Sequence, residues 1–377
     1  MIIYIYMGYP LCVWLLAAAY PKGIERGKMD GCFDEDCPMV SILIAAYNEA
    51  DHIAVTLENK LQLNYPRERF EVLVISDGST DGTDEIVTAF ATRGVRLLRQ
   101  SIRGGKTAAL NVGATVARGE ILVFSDANSL YEPQAMTYLV ENFSDPTVGY
   151  VTGKMIYVNA DNSPVGDGCS AYMKYENFLR EKESVVGSVV GVDGGIDAVR
   201  KVLFKPMQPD QLPDFVLPLK VVQQGFRVVF EPRAVLREKT LHAATDEYRM
   251  RVRVSLRALW ALFDMVLLLV NLKDLRFAWQ LWSHKVFRYL CFMFLAMAWL
   301  SCAWLGLSRG GGYGLFFILQ NLGYLGAWMA HVLSRKGKDP GLLYLFYYFV
   351  LLNLAAGHAF IKFIMGKKQV LWTPRKG

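Results

Sequence analysis

Two short apolar segments of this chain each end at an aspartate in a polar turn. Residues 71–76 are followed by Asp77, and residues 120–125 are followed by Asp126 and then Asn128. Buried parallel strands of an α/β sheet have this composition, and ligands of such sheets bind beyond the carboxyl ends of the strands. Because hard divalent cations prefer oxygen ligands, the acidic strand ends predict a nucleotide site that includes a cation. The alternative is that both aspartates only cap the helices that follow.

Two further polar motifs lie at predicted strand ends. Tyr47 and Glu49 follow the apolar segment 40–46, and the sequence Arg-Gly-Gly-Lys at 103–106 opens a helical segment. Glycines permit close approach of a ligand to the backbone, and a helix N-terminus favours an anion. Lys106 adds a positive charge, so this motif predicts contact with a phosphate group. Its spacing differs from that of a P-loop.

The order of these segments predicts the fold class. Strands are predicted at residues 40–46, 70–76, 95–99, 120–125, 150–158 and 227–231, with helices at 49–61, 81–92, 105–117, 133–143 and 169–186. Alternating strands and helices indicate right-handed βαβ units and a mostly parallel sheet. We therefore expect an α/β domain with its ligand at one edge of the sheet.

Apolar residues concentrate at the two ends of the 377-residue chain, which is 53% hydrophobic and carries a net charge of +6. Segments of about 20 apolar residues are long enough to cross a bilayer. From these segments we predict an N-terminal transmembrane anchor (1–20), an α/β domain (21–254), an interfacial amphipathic segment (255–286), about three transmembrane helices (287–365) and a basic tail (366–377).

Charge near the first apolar segment predicts the orientation of the protein. Lys22, Arg26 and Lys28 follow this segment and place the domain in the cytoplasm by the positive-inside rule. Three later crossings would leave the basic tail on the opposite side, so the number of crossings and the side of the tail stay open. The positive net charge suits an anionic membrane surface. No basic, aromatic-interleaved face indicates a nucleic-acid partner.

Six sequence segments carry a family resemblance. In chain order they are AYNEA, ISDGSTDGT, RGGKTAALN, FSDANS, GGIDAVRK and LPDFVLPLKVVQQGFRVVFEP. Over residues 40–254 the chain resembles membrane-bound family 2 glycosyltransferases and is similar to the group of hyaluronan, chitin and cellulose synthases. The resemblance implies a GT-A fold, which is Rossmann-like. It also implies a sugar-nucleotide donor, usually a UDP-sugar, and a divalent cation, Mg²⁺ or Mn²⁺.

The resemblance also implies roles for residues that bind the donor. Asp126 and Asn128 occupy the D-x-D metal motif of the family, with an amide in place of the second carboxylate. An amide offers an oxygen but no charge, so we expect weaker binding of the metal. Lys106 would lie near the base or the diphosphate. The uridine moiety would contact three residues, Tyr47, Glu49 and Asp77.

On the acceptor side, Asp214 occupies the position of the general base in the family. A base must deprotonate the acceptor hydroxyl as it attacks the anomeric carbon. The residue before it is Pro213, where this group often has a second acid. The alternative is that Asp214 caps a helix. A loop near the acceptor would contain Gly194, Gly195 and Asp197, and the alternative for this loop is a plain tight turn.

Three alternate arginines, Arg249, Arg251 and Arg253, stand where processive synthases have a Q-x-x-R-W element. Guanidinium groups match phosphate oxygens and would neutralise the leaving diphosphate. They could equally anchor a lipid headgroup. Both roles stay open at this point.

These features predict an inverting hexosyltransferase of the inner (plasma) membrane, with several crossings and a cytoplasmic catalytic domain. The acceptor would be a lipid-linked glycan or a growing polysaccharide, in exopolysaccharide or glycolipid synthesis, and polysaccharide-export proteins stay open as partners. The alternative is a catalytically silent membrane subunit that binds a sugar nucleotide and regulates or scaffolds a synthase. Asn128 and Pro213 favour this alternative, whereas the presence of Asp126 and Asp214 opposes it.

Overall fold

An eight-stranded mixed sheet forms the centre of the protein. The computed structural model describes residues 1–27, 37–158, 164–239, 244–272, 274–336 and 338–371. Within these residues the strand order is β3-β2-β1-β4-β7-β6-β8-β5. The strands are β1 (Val40–Ala46), β2 (Phe70–Ser76), β3 (Val95–Arg99), β4 (Ile121–Asp126), β5 (Leu130–Tyr131), β6 (Val148–Val158), β7 (Ile196–Arg200) and β8 (Arg227–Lys239).

The pairing of the first four strands brings the predicted site residues to one edge. β1 pairs in parallel with β2 and β4, so that Ala46 lies opposite Ser76 and Ala45 lies opposite Asp126. β2 also pairs in parallel with β3, whereas β7 runs antiparallel between β4 and β6. Both faces of β1 and β2 are buried, which explains their continuous apolar sequence. The predicted α/β class with a mostly parallel sheet is confirmed.

Helices cover both faces of this sheet. Those of the domain are α2 (Ile53–Leu61), α3 (Thr83–Ala89), α4 (Lys106–Val116), α5 (Ala135–Glu141), α6 (Pro164–Val186), α7 (Pro213–Gln223), α8 (Ala244–Asp264), α9 (Val266–Leu269) and α10 (Leu275–Leu281). The remaining helices are α1 (Tyr9–Ala19), α11 (Phe287–Tyr289), α12 (Cys291–Arg309), α13 (Gly312–Arg335) and α14 (Leu343–Ile364).

The last strand is longer than the sequence pattern predicted. The prediction ended it at residue 231, whereas β8 continues to Lys239. The cause is a change in the register of β6 and β8 between Thr152 and Lys154. A bulge of this kind interrupts the ladder without ending the strand, so Pro232 does not terminate it.

The segment 255–286 has two faces with different surroundings. Ala258, Leu262 and Leu281 belong to the core that packs against the sheet. The other face exposes Leu267 and Leu272, at 75% and 83% of their surface. This face suits the predicted interfacial position, although the predicted boundary at 254/255 lies inside α8.

Three helices, α12, α13 and α14, are long and apolar enough to cross a membrane. α12 and α13 are largely exposed, whereas α14 packs along α8, with Ala355 and Ala359 against Val252 and Leu256. The N-terminal apolar helix, Tyr4–Ala19, is shorter than these three. Its Tyr9 packs with α6 of the domain.

The segment that follows α14 returns to the α/β domain. Trp260 Nε1 donates to the carbonyl of Lys367 at 2.9 Å. Lys368 Nζ lies 2.5 Å from the Asp210 carboxylate, just before α7. The start of the predicted basic tail therefore lies beside the domain.

Candidate active site

The loops after β1 and β2 are joined by hydrogen bonds between side chains and backbone. Thr80 N donates to Asn48 Oδ1 at 2.8 Å, and Asn48 N donates to Ser79 Oγ at 3.1 Å. Asn48 adopts a left-handed backbone with φ of 52°, which asparagine tolerates better than most residues. Glu49 N donates to Thr83 Oγ1 at 2.9 Å. These contacts place Glu49 on the wall of a cavity at the strand ends.

Asp77 is fully buried and holds the glycine-rich loop in place. Its two carboxylate oxygens accept hydrogen bonds from Gly104 N at 2.7 Å and Gly105 N at 3.0 Å. The guanidinium of Arg103 lies 3.5 Å above the Tyr47 ring, and its Nε is 3.8 Å from Asp77 Oδ2. Asp77 and Tyr47 are thus brought together at the expected edge, in contact with the loop that precedes α4.

Lys106 and Asp126 form an ion pair inside the cavity, whose volume is about 130 Å³. Lys106 is the first residue of α4, so the loop fixed by Asp77 sets its position. Burial alone lowers the pKa of Lys106, but attraction to Asp126 and Asp214 outweighs this effect and raises the pKa. Lys106 is therefore a cation at neutral pH and attracts an anionic ligand.

Asp126, the last residue of β4, and Asn128, in the turn that follows, both line the cavity. Among the described residues no cluster of three or more His, Cys, Asp or Glu side chains could hold a metal. Mg²⁺ is commonly held by one or two carboxylates and completes its shell with water and substrate phosphates. One carboxylate and one amide oxygen therefore fit a divalent cation that is bound together with a diphosphate.

Asp214 lies across the same cavity, at the second position of α7. The helix is capped by Leu212 and begins at Pro213, so Asp214 is not the capping residue. Its half-buried carboxylate has no hydrogen-bond partner among the residues that the structure describes. Free lone pairs on a carboxylate are what a general base requires.

The glycine turn before β7 contacts this carboxylate directly. Gly194 has φ of 80°, and a Cβ built on it would lie 2.6 Å from Asp214 Cγ. Gly195 is similarly crowded, because a Cβ there would lie 2.7 Å from Leu236. This turn is therefore shaped around Asp214, which is more specific than the plain tight turn considered above.

Asp197 lies inside β7 rather than on the surface of the acceptor loop. It is 1% exposed, and its Oδ1 has no hydrogen-bond partner in the part of the chain described. Burial raises the pKa of Asp197 to about 7, with repulsion from Asp193 and Asp214 adding to the effect. The structure therefore places Asp197 in the sheet, where it lines a small pocket together with Lys106 and Asp214.

Of the three predicted arginines, the structure brings Arg253 to the cavity and does not bring Arg249 or Arg251. Arg249 is 81% exposed at its side chain, and Arg251 Nε lies 2.7 Å from Glu247 on the side that faces α14. Successive residues of an α-helix are separated by about 100°, so alternate residues point in nearly opposite directions. This geometry separates Arg251 from Arg253. Arg249 lies on the same side of α8 as Arg253 but one turn earlier, where its side chain is exposed.

Arg257 was missed as a site residue, although it lies one helical turn after Arg253 and lines the cavity. It donates to Thr107 Oγ1 at 3.0 Å and to the Asp210 carbonyl at 3.1 Å. Burial lowers the pKa of Arg257 to about 10, and attraction to Asp214 partly offsets this effect. The residue stays charged at neutral pH. Its i, i+4 relation to Arg253 was the available signal in the sequence.

Comparisons with known proteins agree with this architecture. Residues 41–218 match the model of Glycosyl transferase family 2. A poly-beta-1,6-N-acetyl-D-glucosamine synthase of Staphylococcus epidermidis is 26% identical over 265 residues, which are 66% of this chain and 64% of that protein. A beta-monoglucosyldiacylglycerol synthase of Nostoc sp. is 32% identical over 168 residues, 44% of this chain and 36% of that protein. The chain thus spans less than two thirds of the length of these relatives.

One solved structure is similar over nearly the whole chain. It is the mannosyltransferase PcManGT from Pyrobaculum calidifontis in complex with GDP-Man and Mn²⁺, with a TM-score of 0.72 and 22% identity. The similarity covers 97% of both chains and establishes the fold. The chain contains a family 2 glycosyltransferase domain with the GT-A fold, joined to apolar helices that are long enough to cross a membrane.

Proposed function

We propose that this protein is an inverting glycosyltransferase that moves a sugar from a UDP-sugar to the hydroxyl of a membrane-associated acceptor, with Asp214 as the general base. One observation carries the proposal. The carboxylate of Asp214, without a hydrogen-bond partner among the described residues, faces a cavity shared with the Asp126 turn and with cationic side chains. This arrangement places a proton acceptor and phosphate-binding groups around one cavity.

In the proposed reaction Asp214 takes the proton of the acceptor hydroxyl. The hydroxyl oxygen then forms a bond to the anomeric carbon as the bond from that carbon to the diphosphate oxygen breaks. Attack from the face opposite the diphosphate inverts the configuration of the anomeric carbon. The departing UDP gains negative charge, which Lys106, Arg253 and Arg257 neutralise.

Asp126 and Asn128 would hold Mg²⁺ or Mn²⁺ in this proposal. A bound cation of this kind neutralises charge on the diphosphate. Asp126 supplies the only anionic ligand of the pair, because the amide of Asn128 is neutral. Lys106 pairs with Asp126 in the structure, so this lysine lies next to the carboxylate that would hold the cation.

The packing of the apolar helices supports a membrane topology with an even number of crossings after the domain. α12 and α13 expose most of their surface, whereas α14 lies along α8 and leads to Lys367 beside Trp260. If α12 and α13 cross and α14 lies against the domain, the basic tail shares the cytoplasmic side with it, as the positive-inside rule requires. We place the enzyme at the plasma membrane in this orientation.

Reporter fusions test this topology. Alkaline phosphatase fused after Gly311, between α12 and α13, should be active because this turn is outside the cytoplasm. The same reporter fused after Leu371 should be inactive. Activity at both positions would contradict an even number of crossings.

The catalytic proposal is tested by substituting the base. Asp214→Asn keeps the size of the side chain and removes its basicity, so sugar transfer should fall at least 1000-fold while the affinity for UDP changes less than threefold. Equal losses of transfer and binding would contradict the role of Asp214 as a base. A catalytically silent subunit, which Asn128 and Pro213 favour, would bind UDP and turn over no donor.

A further inference from the structure

Tyr131 lies buried between the two halves of the candidate site. Its side chain is 3% exposed, and its hydroxyl oxygen is 2.8 Å from the carbonyl oxygen of Phe124 and 2.8 Å from that of Gly195. Phe124 is two residues before Asp126 in β4. Gly195 follows Gly194, whose backbone contacts the base. One hydroxyl thus connects the strand that carries the cation ligand to the turn that supports Asp214.

The opposite side of the Asp126 turn is held by α2. Thr56 Oγ1 donates to the carbonyl of Ala127 at 2.7 Å, and Lys60 Nζ donates to the carbonyl of Ser129 at 2.6 Å. Lys60 is completely buried and lies 3.6 Å from the centre of the Tyr131 ring. Asn59 exchanges two hydrogen bonds of 2.8 Å with the Tyr131 backbone. The turn is therefore fixed to α2 independently of the Tyr131 hydroxyl.

We propose that Tyr131 is a positioning residue whose hydroxyl sets the distance between the Asp126 turn and Asp214. The proposal rests on the proposed function, because it assumes that the turn holds the cation and that Asp214 is the base. A phenol hydroxyl has one proton, and carbonyl oxygens only accept, so the two carbonyls share a single donor. Removal of that donor breaks both contacts and so removes the direct side-chain link between β4 and the turn at Gly195.

The structure predicts different effects for the two sides of this arrangement. Tyr131→Phe keeps the ring over Lys60 and the backbone contacts of Asn59, so the cation ligands should stay in place while the base turn shifts. Lys60→Met removes the donor to the Ser129 carbonyl and should displace the cation ligands themselves. The first variant should lose turnover, and the second should lose binding of the metal with the nucleotide.

The test measures kcat for release of UDP from the active UDP-sugar and, separately, the Kd of UDP with Mn²⁺ by calorimetry. For Tyr131→Phe we expect kcat to fall at least tenfold while the Kd changes less than threefold. For Lys60→Met we expect the Kd to rise at least fivefold. Tyr65→Phe is the matched control, because the Tyr65 hydroxyl also donates to a carbonyl, that of Pro38, at the far end of β1. It should change neither quantity.

Three results would overturn the inference or its basis. A kcat for Tyr131→Phe within twofold of the unsubstituted protein would refute the role of the hydroxyl. If Tyr131→Phe lowers kcat and the affinity for UDP by equal factors and also lowers Tm, Tyr131 only stabilises the core. If the unsubstituted protein binds UDP no better with Mn²⁺ than without it, the cation site of the proposed function is refuted, whatever the result for Tyr131→Phe.

Discussion

The contact between Gly194 and Asp214 gives a quantitative prediction for Gly194→Ala. An added Cβ would lie 2.6 Å from Asp214 Cγ, whereas ordinary contacts of a Cβ begin at 3.4 Å. The base must therefore move by about 0.8 Å, or the turn must move by the same distance. A displacement of about 1 Å in a reacting group can cost roughly 100-fold in rate. We expect kcat to fall about 100-fold, which is about 2.7 kcal/mol in the barrier, with the Kd of UDP within threefold of the unsubstituted value.

Gly225→Ala is the matched control for this substitution. Gly225 also has a positive φ, 87°, but no heavy atom lies within 4 Å of a Cβ built on it. Both substitutions incur the strain of a left-handed alanine, about 1–2 kcal/mol, and both should lower Tm. Only Gly194→Ala should lower kcat, measured as UDP release at saturating donor. Equal kcat values for the two variants would refute the argument that the turn positions the base.

Three other substitutions test separate parts of the site. Asp126→Ala should weaken binding of UDP in the presence of Mn²⁺ at least tenfold and leave binding without metal nearly unchanged, as measured by calorimetry with and without EDTA. Equal Kd values for the variant and the unsubstituted protein in Mn²⁺ would show that Asp126 does not bind the cation. Arg257→Met should lower kcat more than tenfold, because a cation that faces the diphosphate is lost. An unchanged kcat in the UDP-release assay would show that Arg257 has only a structural role. Burial raises the pKa of Asp197 to about 7, above its unfolded value of about 3.9. Between these two pH values the folded protein binds one more proton than the unfolded protein. The free energy of unfolding should therefore fall by up to about 4 kcal/mol from pH 4 to 7. Asp197→Asn should therefore show a smaller decrease in Tm from pH 5 to 8, and an equal decrease would contradict the burial argument.

The sequence correctly predicted which residues lie at the edge of the sheet, because the apolar pattern defines the strands and their parallel pairing aligns the strand ends. The apolar strands before Asp77 and Asp126 are buried on both faces, and parallel pairing with β1 aligns their ends. Side chains at those ends are then neighbours whatever the details of the loops. The family 2 motifs and the GT-A fold were confirmed for the same reason.

Contacts between residues distant in the chain were not predictable in this way. Asp77 was predicted to contact uridine, but the sequence did not predict that its two oxygens accept hydrogen bonds from the amides of Gly104 and Gly105, 27 and 28 residues later. Tyr131 carries no motif, and the role that we propose for it depends on a contact with the Gly195 carbonyl, 64 residues away. Such contacts depend on how loops pack in three dimensions, and the sequence gives no period or spacing from which to infer them.

The helix that carries the arginines shows a second limit of sequence reasoning. Arg251 and Arg253 are close in the sequence and were therefore predicted to act together. In the helix Arg251 contacts Glu247, whereas Arg253 lines the cavity. Arg257 falls within the segment 255–286 that was predicted to be interfacial, yet it is 6% exposed and lines the cavity. The helical period would have paired Arg253 with Arg257 if α8 had been predicted to begin before residue 255.

The most direct test of the central claim is release of UDP by the detergent-purified protein from a panel of UDP-sugars, with Mn²⁺ and membrane lipid extract, compared with Asp214→Asn. We expect the unsubstituted protein to release UDP from at least one donor. The variant should still bind UDP and release it at less than a thousandth of that rate. Equal release by both proteins, or binding of UDP without turnover of any UDP-, GDP- or dTDP-sugar, would contradict the claim.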